Sequence, residues 1–288
     1  MKDHLVRILT KDGSLRAIAA VTTNLCEEIR QRQQTDPTAS VALGRLVTGA
    51  ALMGGLLKGD QRLGLMLEGN GPLQKLHAET DAEGHVRGSV KTPECGLPLK
   101  DGEFDVASAI GRAGFLHVIK DLGLKEPYRG MVRLYRSTVA QDLAYYFTIS
   151  EQIPSTVALG VYLEPDGRIS AAGGFLVQVM PDGDESFIGL LEERLAVLPP
   201  TTTLLREGLG PAHILERIFA GIPFAAQEHT DLVFRCGCNR RQIRRMLKTL
   251  GDEELRRLIE EEEQTSVTCE YCRSRYAFSR SELERLLG

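Results

Sequence analysis

The segment FRCGCNRRQ, residues 234–242, places two cysteines one residue apart near the C-terminal end of the chain. A second pair, separated by two residues, follows in TCEYCRSRY, residues 268–276. Two close pairs of thiols are a common ligand set for tetrahedral Zn²⁺, and the CxxC spacing lets both sulfurs face one ion. The sequence therefore predicts one Zn²⁺ held by four thiolates, those of Cys236, Cys238, Cys269 and Cys272.

The stretch between the two pairs is longer than in most zinc modules, and it has an apolar pattern of its own. Apolar residues at helical spacing predict two helices joined at Gly251. The first contains Ile243, Met246, Leu247 and Leu250, and the second contains Leu255, Leu258 and Ile259. A helical hairpin brings its two ends together, and with them the two cysteine pairs.

The residues alone leave two roles open for this ion, a structural one and a redox-sensitive one. A small Cys₄ module builds little core, so the metal supplies folding energy, on the order of 10–16 kcal/mol in zinc-finger peptides. Four thiolates can also be oxidised, and the CxC pair can close on itself as a disulfide. Metal loss, local unfolding and disulfide formation would then be one linked event. A hydrolytic zinc is disfavoured because there is no HExxH motif.

Residues 1–180 predict an α+β domain with a mainly antiparallel sheet and crossover helices. The predicted strands are DHLVRILT, LRAIAAVTT, QRLGLMLEG, PLQKLHAETD, HVRGSVKT, GFLHVIKDL, YRGMVRLY, STVALGVYLEP and RISAAGGFLVQVMP. The predicted helices are NLCEEIRQRQQT, QDLAYYFTISEQI and ASVALGRLVTGAALMGGLLKG, the last ending at Gly59. No catalytic constellation stands out in this domain, so we expect no enzyme activity.

Residues 181–230 predict a helical linker, because short amphipathic segments alternate there with PP and GP breaks. Residues 231–288 form the predicted C-terminal zinc domain. The linker's apolar residues are expected to pack against the zinc domain or the core, namely Phe187, Leu190, Leu191, Leu195, Ile214, Leu215, Ile218 and Phe219.

Composition favours a soluble protein of the cytoplasm. Charged residues interrupt the first twenty positions, so we expect no signal peptide there, and Arg45 interrupts the most apolar long run. In a reducing compartment, six cysteines indicate metal or redox chemistry rather than a disulfide framework. We expect Cys26 and Cys95, which stand alone in the sequence, to be inert.

The predicted helix at NRRQIRRMLKTL carries a basic face that could contact nucleic acid. Its charges are Arg240, Arg241, Arg244, Arg245 and Lys248. The net charge of the chain is −4, and acidic residues at 252–254 and 260–263 could neutralise this face across the hairpin. No aromatic residues alternate with the basic ones as a base-stacking surface requires. We therefore expect a solvated face and no nucleic-acid binding.

Beyond these local patterns, the chain resembles the redox-regulated thirty-three-kilodalton heat-shock protein family almost from end to end. The resemblance rests on a CxC followed by a CxxC at the end of an α/β chain and on blocks in the expected order. These blocks are GRLVTGAALMGGLLKGDQRLGLMLEGNGPL, GHVRGSV, YYFTISEQIPSTVALGV, AAGGFLVQVMP, FRCGCNRRQ and VTCEYCRSRYAFSRSELERLL. The mass of 31.7 kDa agrees with this family.

The resemblance implies a chaperone that holds unfolding client proteins without ATP. Members bind one Zn²⁺ through the four cysteines when reduced and are then largely inactive. Hypochlorite, or peroxide with heat, releases the zinc, and near neighbours form disulfides, which here would be Cys236–Cys238 and Cys269–Cys272. The zinc domain and linker then unfold and expose a client-binding surface. Members dimerise more readily when activated and pass clients to an ATP-dependent foldase system.

Three other classes stay open from the residues alone. The chain could be a zinc-ribbon protein associated with nucleic acid or translation, in which the zinc is structural. It could be a thiol–disulfide oxidoreductase that uses Cys269 and Cys272, although no thioredoxin-like βαβ context surrounds that pair. It could also be a metabolic enzyme with a structural zinc tail.

Overall fold

A computed structural model describes residues 1–180, 188–225, 228–261 and 263–287. The chain forms two units, Met1–Phe234 and Arg235–Gly288, each with an apolar core of its own. The predicted α+β class with antiparallel sheets is confirmed. The predicted three segments stay a prediction, and the structure places the described linker residues and residues 231–234 in the large unit.

The large unit contains two main sheets and a short hairpin. Its strands are β1 His4–Leu9, β2 Leu15–Val21, β3 Arg62–Gly69, β4 Lys75–Asp81, β5 His85–Val90, β6 Leu99–Lys100, β7 Glu103–Phe104, β8 Gly114–Asp121, β9 Tyr128–Arg133, β10 Ser155–Leu163, β11 Ile169–Val179, β12 Glu228–Asp231 and β13 Val233–Phe234. One sheet has the order β10-β11-β2-β1-β12, and the other has the order β13-β5-β4-β3-β8-β9. All neighbours are antiparallel except β13 and β5, which run parallel.

The described helices of the large unit are α1 Thr23–Gln33, α2 Pro37–Gly54, α3 Val106–Ile110, α4 Ala140–Tyr146, α5 Ile188–Val197, α6 Thr201–Arg206 and α7 Pro211–Ile218. A π-helical turn, Phe147–Glu151, follows α4 directly. None of the helices in the described part of the chain is both long and apolar enough to span a membrane.

Helix α2 explains why the strands form two sheets where the sequence predicted one. Every residue from Thr38 to Gly54 except Arg45 is buried, so the helix is apolar on all sides. It packs against β3, β4 and β5 of one sheet and against β2, β10 and β11 of the other. A helix that is apolar all round needs cover on both sides, and one sheet covers only one.

The start of α2 follows standard capping chemistry, and its end differs from the prediction. Asp36 caps the helix by accepting a 2.8 Å hydrogen bond from the backbone N–H of Ala39. The predicted end at Gly59 was wrong, because the helix ends at Gly54. Two neighbouring glycines weaken it there, and Leu56 and Leu57 continue the chain with shorter i to i+3 turns.

The predicted linker helices cover the second face of the five-stranded sheet. Helix α6 packs on β10 and β11, and α7 packs on β1 and β2. Their shared core contains Val6, Ile8, Ala17, Ala19, Phe175, Val177, Leu191, Leu204, Ile214, Leu215, Ile218 and Phe219. Of the residues predicted to pack here, Leu190 is instead 38% exposed, and Phe187 lies outside the described residues.

The small unit is a helical hairpin joined to a β-hairpin and a last helix. Its elements are α8 Arg240–Lys248, α9 Asp252–Glu261, β14 Gln264–Thr268, β15 Arg275–Ser279 and α10 Arg280–Glu284. The predicted hairpin turn at Gly251 is confirmed, with a φ of 86° that favours glycine. Six buried apolar side chains form the core of its described residues, namely Ile243, Leu247, Leu255, Phe278, Leu283 and Leu286.

Candidate metal centre

The CxxC pair lies in the turn between β14 and β15, and backbone hydrogen bonds shape that turn. The strands pair in antiparallel register from Gln264 opposite Ser279 to Thr268 opposite Arg275. The N–H of Cys269 donates to the carbonyl of Ser274 over 2.9 Å, and the N–H of Arg273 donates to the carbonyl of Cys269 over 3.0 Å. The geometry of this pair is therefore built by the hairpin itself.

The CxC pair lies just before α8, in a segment without a helix or strand. Asn239 caps α8, with its Oδ1 accepting from the N–H of Gln242 over 2.9 Å. Its amide Nδ2 donates back to the carbonyl of Gly237 over 3.2 Å. Cys238 thus precedes the positive end of a helix dipole, a position that favours a thiolate.

All four predicted ligands meet at one point, with their sulfur atoms within 4.8 Å of one another. The sulfurs of Cys236 and Cys269 are 3.7 Å apart, and those of Cys238 and Cys272 are 3.2 Å apart. Four sulfurs at about 2.3 Å from one Zn²⁺ in a tetrahedron would lie about 3.8 Å from each other. The four residues therefore fit one tetrahedral metal ion, and an all-sulfur set suits zinc or iron.

The pKa values of Cys238 and Cys272 show why the site would need a cation. Burial raises the pKa of the Cys238 thiol to about 12 when no cation balances the site. Burial also acts to raise the pKa of Cys272, but hydrogen bonds from Ser274 and the neighbouring thiols outweigh it and lower that pKa to about 6. Cys238 thus stays protonated near neutral pH without a cation, whereas metal ligation requires the thiolate form. A divalent cation would supply the missing charge balance.

Two hydroxyl groups beside the sulfurs have contacts that the sequence did not specify. The Oη of Tyr276 lies 3.2 Å from Cys238 Sγ and 3.2 Å from the Cys238 carbonyl oxygen. Ser274 Oγ lies 3.2 Å from Cys272 Sγ. In a strand, residues two apart lie on the same face. A strand predicted after the CxxC pair could therefore have placed Ser274 and Tyr276 together on one face.

The two remaining cysteines lie in the large unit. Cys26 is buried in α1, and this burial raises its pKa to about 12. Cys95 is half-buried, with its Sγ 3.5 Å from Asp36 Oδ1. Burial is the main cause that raises the pKa of Cys95 as well. Thiols with raised pKa values react slowly, which agrees with the expectation that both are inert.

The basic face of α8 is exposed, and none of the ion pairs in the described part of the chain joins it to the acids of α9. Arg240 instead pairs with Glu282 of α10 over 2.7 Å. The acids of α9 pair with arginines of their own helix, Asp252 with Arg256 and Glu254 with Arg257. Within the described residues, the other four basic side chains of α8 form no ion pair; they are Arg241, Arg244, Arg245 and Lys248.

Comparisons with known proteins match this chain almost from end to end. A model of the Hsp33 protein family matches residues 3–279. The 33 kDa chaperonin of Syntrophotalea carbinolica is 69% identical over 288 residues, which cover all of both chains. The 33 kDa chaperonin of Geobacter sulfurreducens is 54% identical over 284 residues, covering 99% of this chain and 94% of that protein.

The fold gives the same result. The crystal structure of the 33 kDa chaperonin of Thermotoga maritima, a heat shock protein 33 homologue, superimposes with a TM-score of 0.92 at 37% identity. The match covers 99% of this chain and 98% of that one. The chain therefore belongs to the Hsp33 protein family, as its sequence blocks indicated.

Proposed function

We propose that the protein is a redox-regulated, ATP-independent chaperone that holds unfolding proteins after oxidation. Family membership supports the chaperone role. The observation that carries the redox control is the meeting of four cysteine sulfurs within 4.8 Å. The described residues of that unit bury only six apolar side chains in its core. A unit with so small a core depends on its metal ion, and thiolate ligands make that ion sensitive to oxidants.

In the reduced state the four cysteines would hold one Zn²⁺ and the chaperone would be inactive. The bound ion supplies charge balance for four thiolates and fixes the two cysteine pairs together. The β-hairpin orients Cys269 and Cys272, and the cap of α8 orients the CxC segment. We take zinc rather than iron as the ion because it has no redox change of its own, so the thiols alone would sense the oxidant.

Oxidation would form the disulfides Cys236–Cys238 and Cys269–Cys272, the pairing that the family resemblance implies. For each bond, two thiolates lose two electrons to one peroxide, whose O–O bond breaks, and two protons from solvent complete two water molecules. A disulfide sulfur is a poor metal ligand, so each new bond removes two ligands from the ion. With both pairs oxidised, the small unit loses its main source of folding energy.

In this proposal, helices α5 to α7 and the sheet face beneath them supply the client-binding surface when they separate. They cover an apolar sheet face that contains Val6, Ile8, Ala17, Ala19, Phe175 and Val177. The chain leaves this region through β12 and β13, and Cys236 follows the last strand after a single residue. Unfolding of residues 235–287 would leave those short strands without a folded continuation. Release of the helices would then expose a contiguous apolar patch, which is what binding of unfolded chains requires.

The same proposal assigns location and partners. The protein would act in the cytoplasm, where its thiols stay reduced until stress. Its partners would be unfolding client proteins, a second copy of the chain on activation, and an ATP-dependent foldase system that receives the clients. It would have no catalytic activity.

The test is light scattering from heat-denatured citrate synthase in the presence of the purified protein. Zinc-loaded, reduced protein is expected to leave aggregation unchanged, and peroxide-treated protein to suppress it. A Cys95→Ser variant should behave like wild type, because this thiol lies outside the cluster. The holdase role would be contradicted if the reduced protein bound zinc and peroxide released it, but the oxidised protein did not suppress aggregation.

One observation favours a second candidate, a zinc-ribbon protein that contacts nucleic acid. The exposed basic face of α8 includes four side chains without ion pairs among the described residues. This alternative predicts RNA binding by the reduced, zinc-loaded protein with a steep salt dependence. The chaperone proposal predicts no such binding at physiological salt.

A further inference from the structure

The two cysteine pairs are held in place by different means. The CxxC pair takes its shape from the β14–β15 hairpin, through the backbone hydrogen bonds of Cys269 and Arg273. The CxC pair lies in a segment, residues 235–238, that has no helix or strand of its own. A side chain that reaches from the hairpin to the CxC pair would therefore join the two halves of the site.

Tyr276 is such a side chain. It belongs to β15, where it pairs with Val267 of β14, and its ring packs against the apolar core of the small unit. Its Oη lies 3.2 Å from the sulfur of Cys238 and 3.2 Å from that residue's carbonyl oxygen. The ring is thus positioned by packing, and the hydroxyl is left to contact a cysteine of the other pair.

We propose that Tyr276 is a positioning residue whose hydroxyl donates a hydrogen bond to the Cys238 thiolate and thereby sets how firmly the site holds its metal. This inference rests on the proposed zinc site. A phenol has one hydrogen to donate, and a negatively charged sulfur attracts it more strongly than a neutral carbonyl does. Outer hydrogen bonds to metal ligands typically change metal affinity by about 10–100-fold.

The same hydrogen bond would also slow oxidation of Cys238. In the first step the sulfur lone pair attacks one oxygen of peroxide, the O–O bond breaks, hydroxide leaves, and the sulfur becomes a sulfenic acid. A hydrogen bond that withdraws density from this lone pair makes the attack slower. Tyr276 would therefore raise the amount of oxidant needed before the small unit loses its metal.

The test compares wild type with Tyr276→Phe, which removes the hydroxyl and keeps the packed ring. Both full-length proteins are loaded with Co²⁺, and their sulfur-to-cobalt charge-transfer band is recorded. A thiolate without its hydrogen bond gives up an electron more easily, so this band should move to longer wavelength in the variant. Zinc affinity, measured by chelator competition, should fall about tenfold or more. Zinc release by peroxide should be several-fold faster.

Tyr162→Phe is the matched control, because it removes a tyrosine hydroxyl from the large unit; all three values should equal those of wild type. An unchanged band, affinity and release rate in Tyr276→Phe would overturn the inference while leaving the zinc site intact. Loss of the tetrahedral cobalt bands in that variant would also overturn it, since Tyr276 would then be needed for folding. A wild-type protein that bound neither metal would overturn both this inference and the zinc site.

Discussion

The two units of this protein differ in what holds them together. In the large unit, α2 lies between two sheets and is buried along nearly its whole length. In the small unit, the described core is six apolar side chains under two hairpins, beside a cluster of four cysteines. Domains this small seldom fold on apolar burial alone. Under the proposed function, this difference means that the large unit is stable through its own core, whereas the stability of the small unit depends on the oxidation state of its thiols.

The largest effect should come from removing metal ligands. Cys269→Ser combined with Cys272→Ser should abolish zinc binding and unfold residues 235–287, because metal ligation in such units contributes on the order of 10–16 kcal/mol. Zinc content and circular dichroism measure both changes. The two-sheet core of the large unit should keep its thermal transition, and Cys95→Ser should leave zinc content unchanged. A double variant that kept the small unit folded would show that the two units do not differ in this way.

The next largest effect should come from a matched pair of core substitutions, one in each unit. Leu255 and Leu46 are each fully buried, the first in the small unit and the second in α2. Either Leu→Ala change should cost about 2–5 kcal/mol in its own unit. Only Leu255→Ala should speed zinc release by peroxide, measured with a chelating dye. Equal acceleration by Leu46→Ala would mean that metal retention depends on the whole chain.

A smaller effect is expected where α6 meets its sheet. Gly160 and Gly173 are paired across β10 and β11, and a Cβ at Gly160 would lie 2.7 Å from the Cγ2 of Thr202. Gly160→Val should displace α6 at a cost of about 1–3 kcal/mol. Limited proteolysis of the reduced protein should then give new cuts within residues 188–225, together with some holdase activity before oxidation.

The control for that substitution is Gly189→Ala in α5, where a Cβ would meet nothing within 4 Å. Its digestion pattern should match wild type. If Gly160→Val were also cut like wild type, the glycine pair would not determine how closely α6 approaches the sheet.

The smallest effect should come from a surface contact of the same helix. The guanidinium of Arg206 lies 3.9 Å from the ring centroid of Tyr162. Arg206→Ala should lower the free energy of unfolding of the reduced protein by about 0.5–1 kcal/mol, measured by urea denaturation. Arg217→Ala, at an exposed position of α7, serves as the comparison. A loss of equal size in both variants would assign the effect to charge rather than to ring stacking.

Local patterns in the sequence predicted much of the small unit. The cysteine spacing predicted which four sulfurs meet, and the apolar spacing predicted the helical hairpin around Gly251. Ser279 and Glu282 have the spacing of a capping box, and the structure contains it. Not every apolar residue in that pattern is buried, because Met246 and Leu250 are each about half exposed. The spacing of apolar residues identifies a helix, but the width of its buried face depends on what packs against it.

Features that depend on distant parts of the chain could not be predicted in this way. The split into two sheets follows from both sides of α2 being covered, which only the assembled core shows. The ion pair between Arg240 and Glu282 joins two helices separated by a hairpin, so sequence spacing did not indicate it. The contact between Tyr276 and Cys238 likewise crosses from one cysteine pair to the other. Sequence patterns show which side chains share a face, not which distant segment that face meets.

The central claim is that oxidation unfolds the small unit and releases helices α5 to α7, while the two-sheet core of the large unit stays folded. Hydrogen exchange followed by mass spectrometry, on zinc-loaded reduced protein and on peroxide-treated protein, tests it most directly. Residues 235–287 should lose amide protection on oxidation, followed by residues 188–225, while α2 and the strands that cover it keep theirs. Protection in residues 235–287 that survived complete loss of zinc would contradict the account.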